Sequence, residues 1–273
     1  MLEYLTSLPN ITLPNILSTF FLTLFRLAPI MVMAPFLGSK LAPGIARTGL
    51  AIFLAILFVP HVILTGLTPI SFNSLFILYT LKEVFIGFIL GLMISVPFYM
   101  IQSSGIIVDF MRGASMMQAQ DPSMQVQSST IGIFYNYILI VIFFKVNGPV
   151  LFFKSVLLSY DIIPANSFIN PAFFQTSSQF WDYASNILNT IFAIAIQMSA
   201  PAILAILMAE MFLGIANRMA PQVQIAFLGM SLKSFLGLAL LTVGWFFILK
   251  QFSKQSINAL DQIETMINTI KLL

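Results

Sequence analysis

The residues able to do chemistry are the few charged side chains that interrupt long apolar runs. Only 8% of the 273 residues are Asp, Glu, Lys or Arg, against roughly 25% in a soluble domain. The group around which the chain is organised lies in Gly105 to Gln127, which reads GIIVDFMRGASMMQAQDPSMQVQ. It holds Asp109, Arg112 and Asp121, small Gly113 and Ala114, and Met111, Met116, Met117 and Met124. Pro122 pushes Asp121 out of the α region, so any helix breaks there. Asp109 and Arg112 are three apart, the spacing of an i, i+3 ion pair.

Elsewhere the charges stand alone or in stripes. Arg26 shares a helical face with Pro29/Ile30 and Met33. It either meets a cavity or partner, or snorkels from a helix end. Glu83, Gly87, Gly91 and Ser95 step by four, and small residues at that spacing let another helix backbone approach closely. Glu83 needs a partner if buried. Glu210, Gly214 and Arg218 repeat the step, and Gly229, Lys233 and Gly237 form a further stripe. Glu210 can pair with Arg218 or with Lys233. KEVFIG around Glu83 and AEMFLG around Glu210 share Glu-x-Phe-Ile/Leu-Gly, a faint internal repeat.

The chemistry these groups do not form is equally informative. With no cysteine and only His61 as histidine, disulfides, thiol catalysis and Cys/His zinc sites are excluded. No nucleophile–base set, HExxH motif or phosphate-binding glycine loop is present. The scattered acidic residues point to no metal site or cofactor, and no catalytic residue can be named. His61, following Pro60, is assigned no role. A net charge of +3 without a basic block gives no nucleic-acid signal.

The elements carrying these residues are helices at membrane-grade hydropathy. The sequence is 59% hydrophobic, with mean hydropathy +0.99. Long continuous apolar runs favour helices over the alternating segments of a β-barrel. Six such runs are expected: Thr12 to Leu37, interrupted by Pro29 and Pro35; Ala46 to Leu64; Phe72 to Val108; Ile131 to Leu158; Ile187 to Met211; and Ile225 to Phe252. A hairpin turn is expected near Thr65 to Pro69. Phe72 to Val108 exceeds the ~20 residues of one span, which makes Pro97 the expected kink or split. Ser253 to Leu273 reads as an amphipathic tail, and Asp161 to Asp182 as an exposed loop. The N-terminus lacks the charged region of a cleaved signal peptide. With six spans, Lys40, Arg47, Arg112 and Arg218 fall on one side and Lys154, Lys250, Lys254 and Lys271 on the other. The positive-inside rule is thus nearly tied. That tie suits a re-entrant segment, or a chain that is not a free-standing six-helix bundle.

Several motifs occur in order: Arg26-x2-Pro29-x5-Pro35-x2-Gly38-x4-Pro43-x3-Arg47; Glu83-x3-Gly87-x3-Gly91; Gly105-x3-Asp109-x2-Arg112-Gly113; Asp121-Pro122; and Asn217-Arg218-Met219-Ala220-Pro221-Gln222-x6-Gly229-x3-Lys233-Ser234. In this order the sequence resembles the FliR/SctT family, the inner-membrane export-apparatus subunit of flagellar and virulence type III secretion systems. The resemblance covers nearly the whole chain and implies an all-α membrane-associated fold of about six to eight hydrophobic helices in hairpins. It implies a single export-apparatus domain. Residues 1–160 would be FliP/SctR-like and carry a plug loop at 105–127; residues 161–273 would be a FliQ/SctS-like hairpin and tail. It further implies no enzymatic activity and a multi-pass location in the bacterial inner membrane, within the secretion-system base. The implied partners are FliP/SctR-like and FliQ/SctS-like subunits, an FlhB/SctU-like switch protein, an FlhA/SctV-like export-gate protein, unfolded secreted polypeptides and membrane lipid.

On this resemblance, Asp109, Met111, Arg112, Gly113, Met116, Met117, Asp121, Pro122 and Met124 belong to a plug. Arg26, Glu83, Gly87, Gly91, Glu210, Arg218 and Lys233 belong to assembly or packing. Methionine suits a reversible seal, because it is apolar, unbranched and adaptable. Virulence effectors are the expected cargo rather than flagellar subunits. The competing reading is a secondary transporter or channel for a small solute, with broken helices at Pro29/Pro35 and Pro97 around Arg26 and Glu83. An intramembrane enzyme is a third class, without a nameable site.

Overall fold

The computed structural model describes residues 12–38, 42–66, 72–113, 129–168, 179–219 and 225–272. Among them are eight α-helices: α1 (Leu13–Met33), α2 (Gly44–Thr65), α3 (Ser74–Met111), α4 (Thr130–Lys145), α5 (Gly148–Ile162), α6 (Gln179–Met219), α7 (Ile225–Val243) and α8 (Trp245–Leu272). Among the described residues four helices are long and apolar enough to cross a membrane, and up to six spans result if each bent pair counts as one. The chain is an all-α membrane protein.

The prolines act less as breakers than their positions suggest. α1 continues through Pro29 to Met33, and Pro35–Leu37 then form a short 3-10 turn closed by Gly38 at φ 77°. α3 continues through Pro97, so the run of 72–108 is one helix and is not split. A helix tolerates proline when neighbouring groups satisfy the freed carbonyl.

Two other runs, expected to be continuous, are broken. The run of 131–158 divides into α4 and α5, bent by 73°. Asn147 at the junction adopts φ 57°, and Pro follows at the first turn of α5. A left-handed residue ends one helix, and proline is pre-shaped to start the next. The run of 225–252 breaks at Gly244, with a bend of 66°. Glycine is about 1 kcal/mol less favourable than alanine within a helix. The amphipathic tail expected from Ser253 is therefore not a separate element, since α8 begins at Trp245.

The segment expected as an exposed loop at 161–182 is also different. Asp161 and Ile162 complete α5, Ile163 and Ala165 are buried, and α6 has begun by Gln179. Residues 169–178 lie outside the described residues.

Backbone contacts divide the chain into two compact units. The first comprises residues 1–96, 147–186 and 257–273. Its core holds Leu22, Leu27, Ile30 and Phe58, and Phe36 meets Phe152 edge-on at 5.8 Å. The second comprises residues 97–146 and 187–256. There Phe98 meets Phe143 at 5.6 Å and Tyr135 meets Phe252 at 5.2 Å.

Candidate functional site: two polar nodes and an ion pair on the α6–α7 hairpin

The first node lies inside the first unit. The glycines of α3 create it by letting α1 approach. A Cβ at Gly87 would stand 2.1 Å from the carbonyl oxygen of Arg26, and one at Gly91 would stand 3.2 Å from Ile30 Cα. With the backbones this close, Arg26 and Glu83 face each other across the seam, and both side chains are completely buried. Arg26 Nε donates to Glu83 Oε2 at 2.5 Å and Nη2 donates to Oε1 at 2.9 Å. This is the bidentate fork that guanidinium geometry favours. Arg26 also donates to Ser159 Oγ at 2.9 Å and to the Ile163 carbonyl at 2.8 Å. The guanidinium lies 3.8 Å from the centre of the Tyr160 ring, a cation–π arrangement.

Lys82 completes the node. Its Nζ stands 2.7 Å from Glu83 Oε1 and donates to the carbonyls of Pro164, Ala165 and Ser167 at 2.8–3.1 Å. Two cations thus share one carboxylate. The excess positive charge is met by four carbonyls at and just beyond the C-terminal end of α5, where the helix dipole is negative. The expected exposed loop is turned inward for this reason: its first carbonyls are the ligands of Arg26 and Lys82. Of this set, the sequence pointed to Arg26 and Glu83. Ser159, Tyr160 and the 163–167 carbonyls carried no signal, while Lys82 was visible only as the charge beside Glu83.

The second node lies inside the second unit, where α3 ends and α4 begins. Gly105 and Gly132 bring the two backbones into contact: a Cβ at Gly105 would stand 2.6 Å from Gly132 Cα. Asp109, almost completely buried, accepts from three sources. Arg112 approaches Oδ1 with Nε at 2.8 Å and Nη2 at 2.6 Å. Ser129 Oγ donates to Oδ2 at 2.5 Å, and the Ile131 backbone N–H donates to Oδ2 at 2.8 Å. Ser129 is the N-cap of α4 and also accepts from Gly132 N–H. A serine cap and a carboxylate together satisfy donors that a helix start otherwise leaves unpaired. The aliphatic stem of Arg112 reaches Gly237 of α7, 3.7 Å from where its Cβ would stand.

Asp109, Arg112 and Gly113 therefore form the start of the segment singled out in the sequence. Gly113 adopts φ 87°, a conformation that favours glycine. Met111 is half-buried in the last turn of α3. Met116, Met117, Asp121, Pro122 and Met124 lie outside the described residues. Sequence spacing identified the Asp109–Arg112 pair but not Ser129 or Ile131, whose only signal was a serine preceding an apolar run.

Glu210 and Lys233 join α6 to α7 by an ion pair. Of the two partners open to Glu210, Lys233 is the one bound. Arg218 lies exposed in the last turn of α6. His61, assigned no role, stands 3.0 Å from Asp161 with both side chains half-exposed.

Comparison with known proteins places these nodes in a family. Residues 17–259 match the family described as Bacterial export proteins, family 1. The chain is 30% identical over 256 residues to the Yop proteins translocation protein T of Yersinia pestis, covering 93% of this chain and 96% of that one. It is 30% identical over 224 residues to the surface presentation of antigens protein SpaR of Shigella sonnei, covering 80% and 82%. It is 27% identical over 219 residues to the flagellar biosynthetic protein FliR of Bacillus subtilis, covering 80% and 83%. A match across both nodes and the α6–α7 hairpin leaves one conclusion: the chain belongs to the FliR/SctT family of bacterial export proteins, components of the type III secretion and flagellar export apparatus.

Proposed function

We propose that this chain is a subunit of the export gate itself, forms part of the channel wall, and contributes its 105–127 segment as a plug. Unfolded polypeptides are the cargo. The gate sits in the bacterial inner membrane and is assembled with FliP/SctR-like and FliQ/SctS-like subunits, working with FlhB/SctU-like and FlhA/SctV-like proteins. Residues up to about 160 supply the FliP/SctR-like part, and the remainder, centred on the α6–α7 hairpin, the FliQ/SctS-like part.

The observation that carries this reading is the Asp109 node. A segment that must close a channel and later yield needs ends that stay put while its middle moves. Asp109 binds Arg112 at one end of the segment and Ser129 and Ile131 at the other. Both ends are thus tied by atoms outside residues 114–128. Gly113 supplies the backbone freedom at the departure point. Met111, Met116, Met117 and Met124 offer soft apolar side chains for the seal, and an apolar constriction also blocks ions by dewetting.

Helix length supports an assembled state. α3 has 38 residues and α6 has 41, about 57 and about 61 Å long at about 1.5 Å per residue. A bilayer core is about 30 Å thick, so each helix is about twice as long as lipid alone can cover. The virulence branch is favoured by the 30% identities to Yop translocation protein T and SpaR against 27% to FliR.

Deleting Gly113 to Ala119 tests the plug. Ion conductance through the assembled complex should rise at rest while the complex still assembles. Unchanged conductance in a fully assembled complex rejects it.

A further inference from the structure

α6 has two apolar faces, and the described residues of the chain cover only one. Ala202, Ile206, Ala209 and Leu213 are spaced i, i+4, i+7, i+11 and are buried. Leu207, Met211, Gly214 and Arg218 have the same spacing on a second stripe. Along it Leu207 is 41% exposed and Met211 71%. A Cβ at Gly214 would meet nothing within 4 Å. Glu210 flanks this stripe at 42% side-chain exposure, paired with Lys233 at 22%.

Neither solvent suits this surface. In lipid, a half-exposed carboxylate and a partly exposed ammonium cost several kcal/mol. In water, exposed Leu207 and Met211 cost the burial free energy of each side chain, on the order of 2 kcal/mol apiece. A protein surface satisfies both, because it can be apolar along the stripe and polar at one point. The charges say which sign that point has. Glu210 is −1, Lys233 is +1 and Arg218 is +1, a sum of +1. Arg218 has no ion-pair partner among the described residues.

We propose that this stripe of α6 docks an apolar helix of another subunit, which sets its backbone into the notch at Gly214 and places a carboxylate against Arg218. The open glycine permits close helix approach, and the net positive charge selects an acidic partner over a basic one. This deepens the assembly reading above and rests on it.

The test uses the whole complex in native membranes. A photoreactive phenylalanine analogue at Met211 should crosslink to a hydrophobic subunit other than this chain. The crosslinked peptide should lie on an apolar helix with Asp or Glu within one turn. Gly214→Leu improves helix propensity, and its Cβ would have no described atom within 4 Å, so the chain should still accumulate in the membrane. Recovery of the other subunits with it should fall about tenfold, equivalent to about 1.4 kcal/mol. Arg218→Glu should do the same, and reversing the partner's acidic residue to lysine should restore recovery.

Crosslinking only to a second copy of this chain, or only to lipid, overturns the proposal, as does wild-type recovery with Gly214→Leu. If the unmodified tagged chain retains no other membrane subunits, the assembly reading itself fails. If it retains them all while Met211 crosslinks to none, only this docking face fails.

Discussion

Replacing Glu83 with alanine should nearly abolish the folded chain. Among the described residues Glu83 is the only carboxylate in this buried node, and two cations depend on it: Arg26 at 2.5 and 2.9 Å and Lys82 at 2.7 Å. Removing one partner of a buried pair costs about 3–5 kcal/mol, because the remaining charge is left uncompensated. Here two are left. A loss of that size approaches the whole stability of many domains, about 5–15 kcal/mol. Glu83→Gln keeps an acceptor and should be less severe. Gly87→Ala attacks the same seam sterically, since the new Cβ would fall 2.1 Å from the Arg26 carbonyl oxygen, and no rotamer relieves a backbone clash. Membrane-inserted protein and its thermal midpoint in mild detergent report the outcome. A Glu83→Ala chain that accumulates and melts like the parent would show that the node is not what joins α1, α3 and the end of α5.

The second large effect is expected at Asp109. Alanine there removes the acceptor for Arg112, Ser129 and Ile131 N–H together. Hydrogen bonds to a charged group contribute about 1.5–3 kcal/mol each, although losses within one network do not add. A net loss of about 3 kcal/mol is expected, concentrated at the α3–α4 junction. Ser129→Ala removes one bond and the helix cap, and should cost about 1 kcal/mol. Amide hydrogen exchange at Ile131 and Gly132 should accelerate in that order of severity. If 105–127 is a plug, resting ion leak should rise in the same order. The two readouts separate the claims. Faster exchange without leak keeps the clamp and rejects the plug; unchanged exchange rejects the clamp.

The sequence alone determined properties that depend on local periodicity. Unbroken apolar runs required helices, because an unpaired backbone in lipid is too costly for other structures. Spacing by four placed Glu83, Gly87 and Gly91 on one stripe, and spacing by three allowed Asp109 and Arg112 to pair. The ordered small and charged residues from Arg26 to Ser234 were sufficient to place the family.

Tertiary structure decided which partner each group has. Arg26 is 57 residues from Glu83 and 133 from Ser159, distances at which no period carries information. Lys82 meets carbonyls beyond α5, and backbone oxygens have no sequence identity to read. The break at Gly244 was hidden because the residues around it stay largely apolar, so hydropathy continues where direction does not; the break at Asn147 falls in Lys145-Val146-Asn147-Gly148-Pro149, a turn signal outweighed by the long apolar stretches on either side. Asp109 shows both contributions in one residue. Its bond to Arg112 follows from one helical turn of sequence. Its bonds to Ser129 and Ile131 exist only because Gly105 and Gly132 let two helices touch, and that contact turns a local ion pair into a clamp.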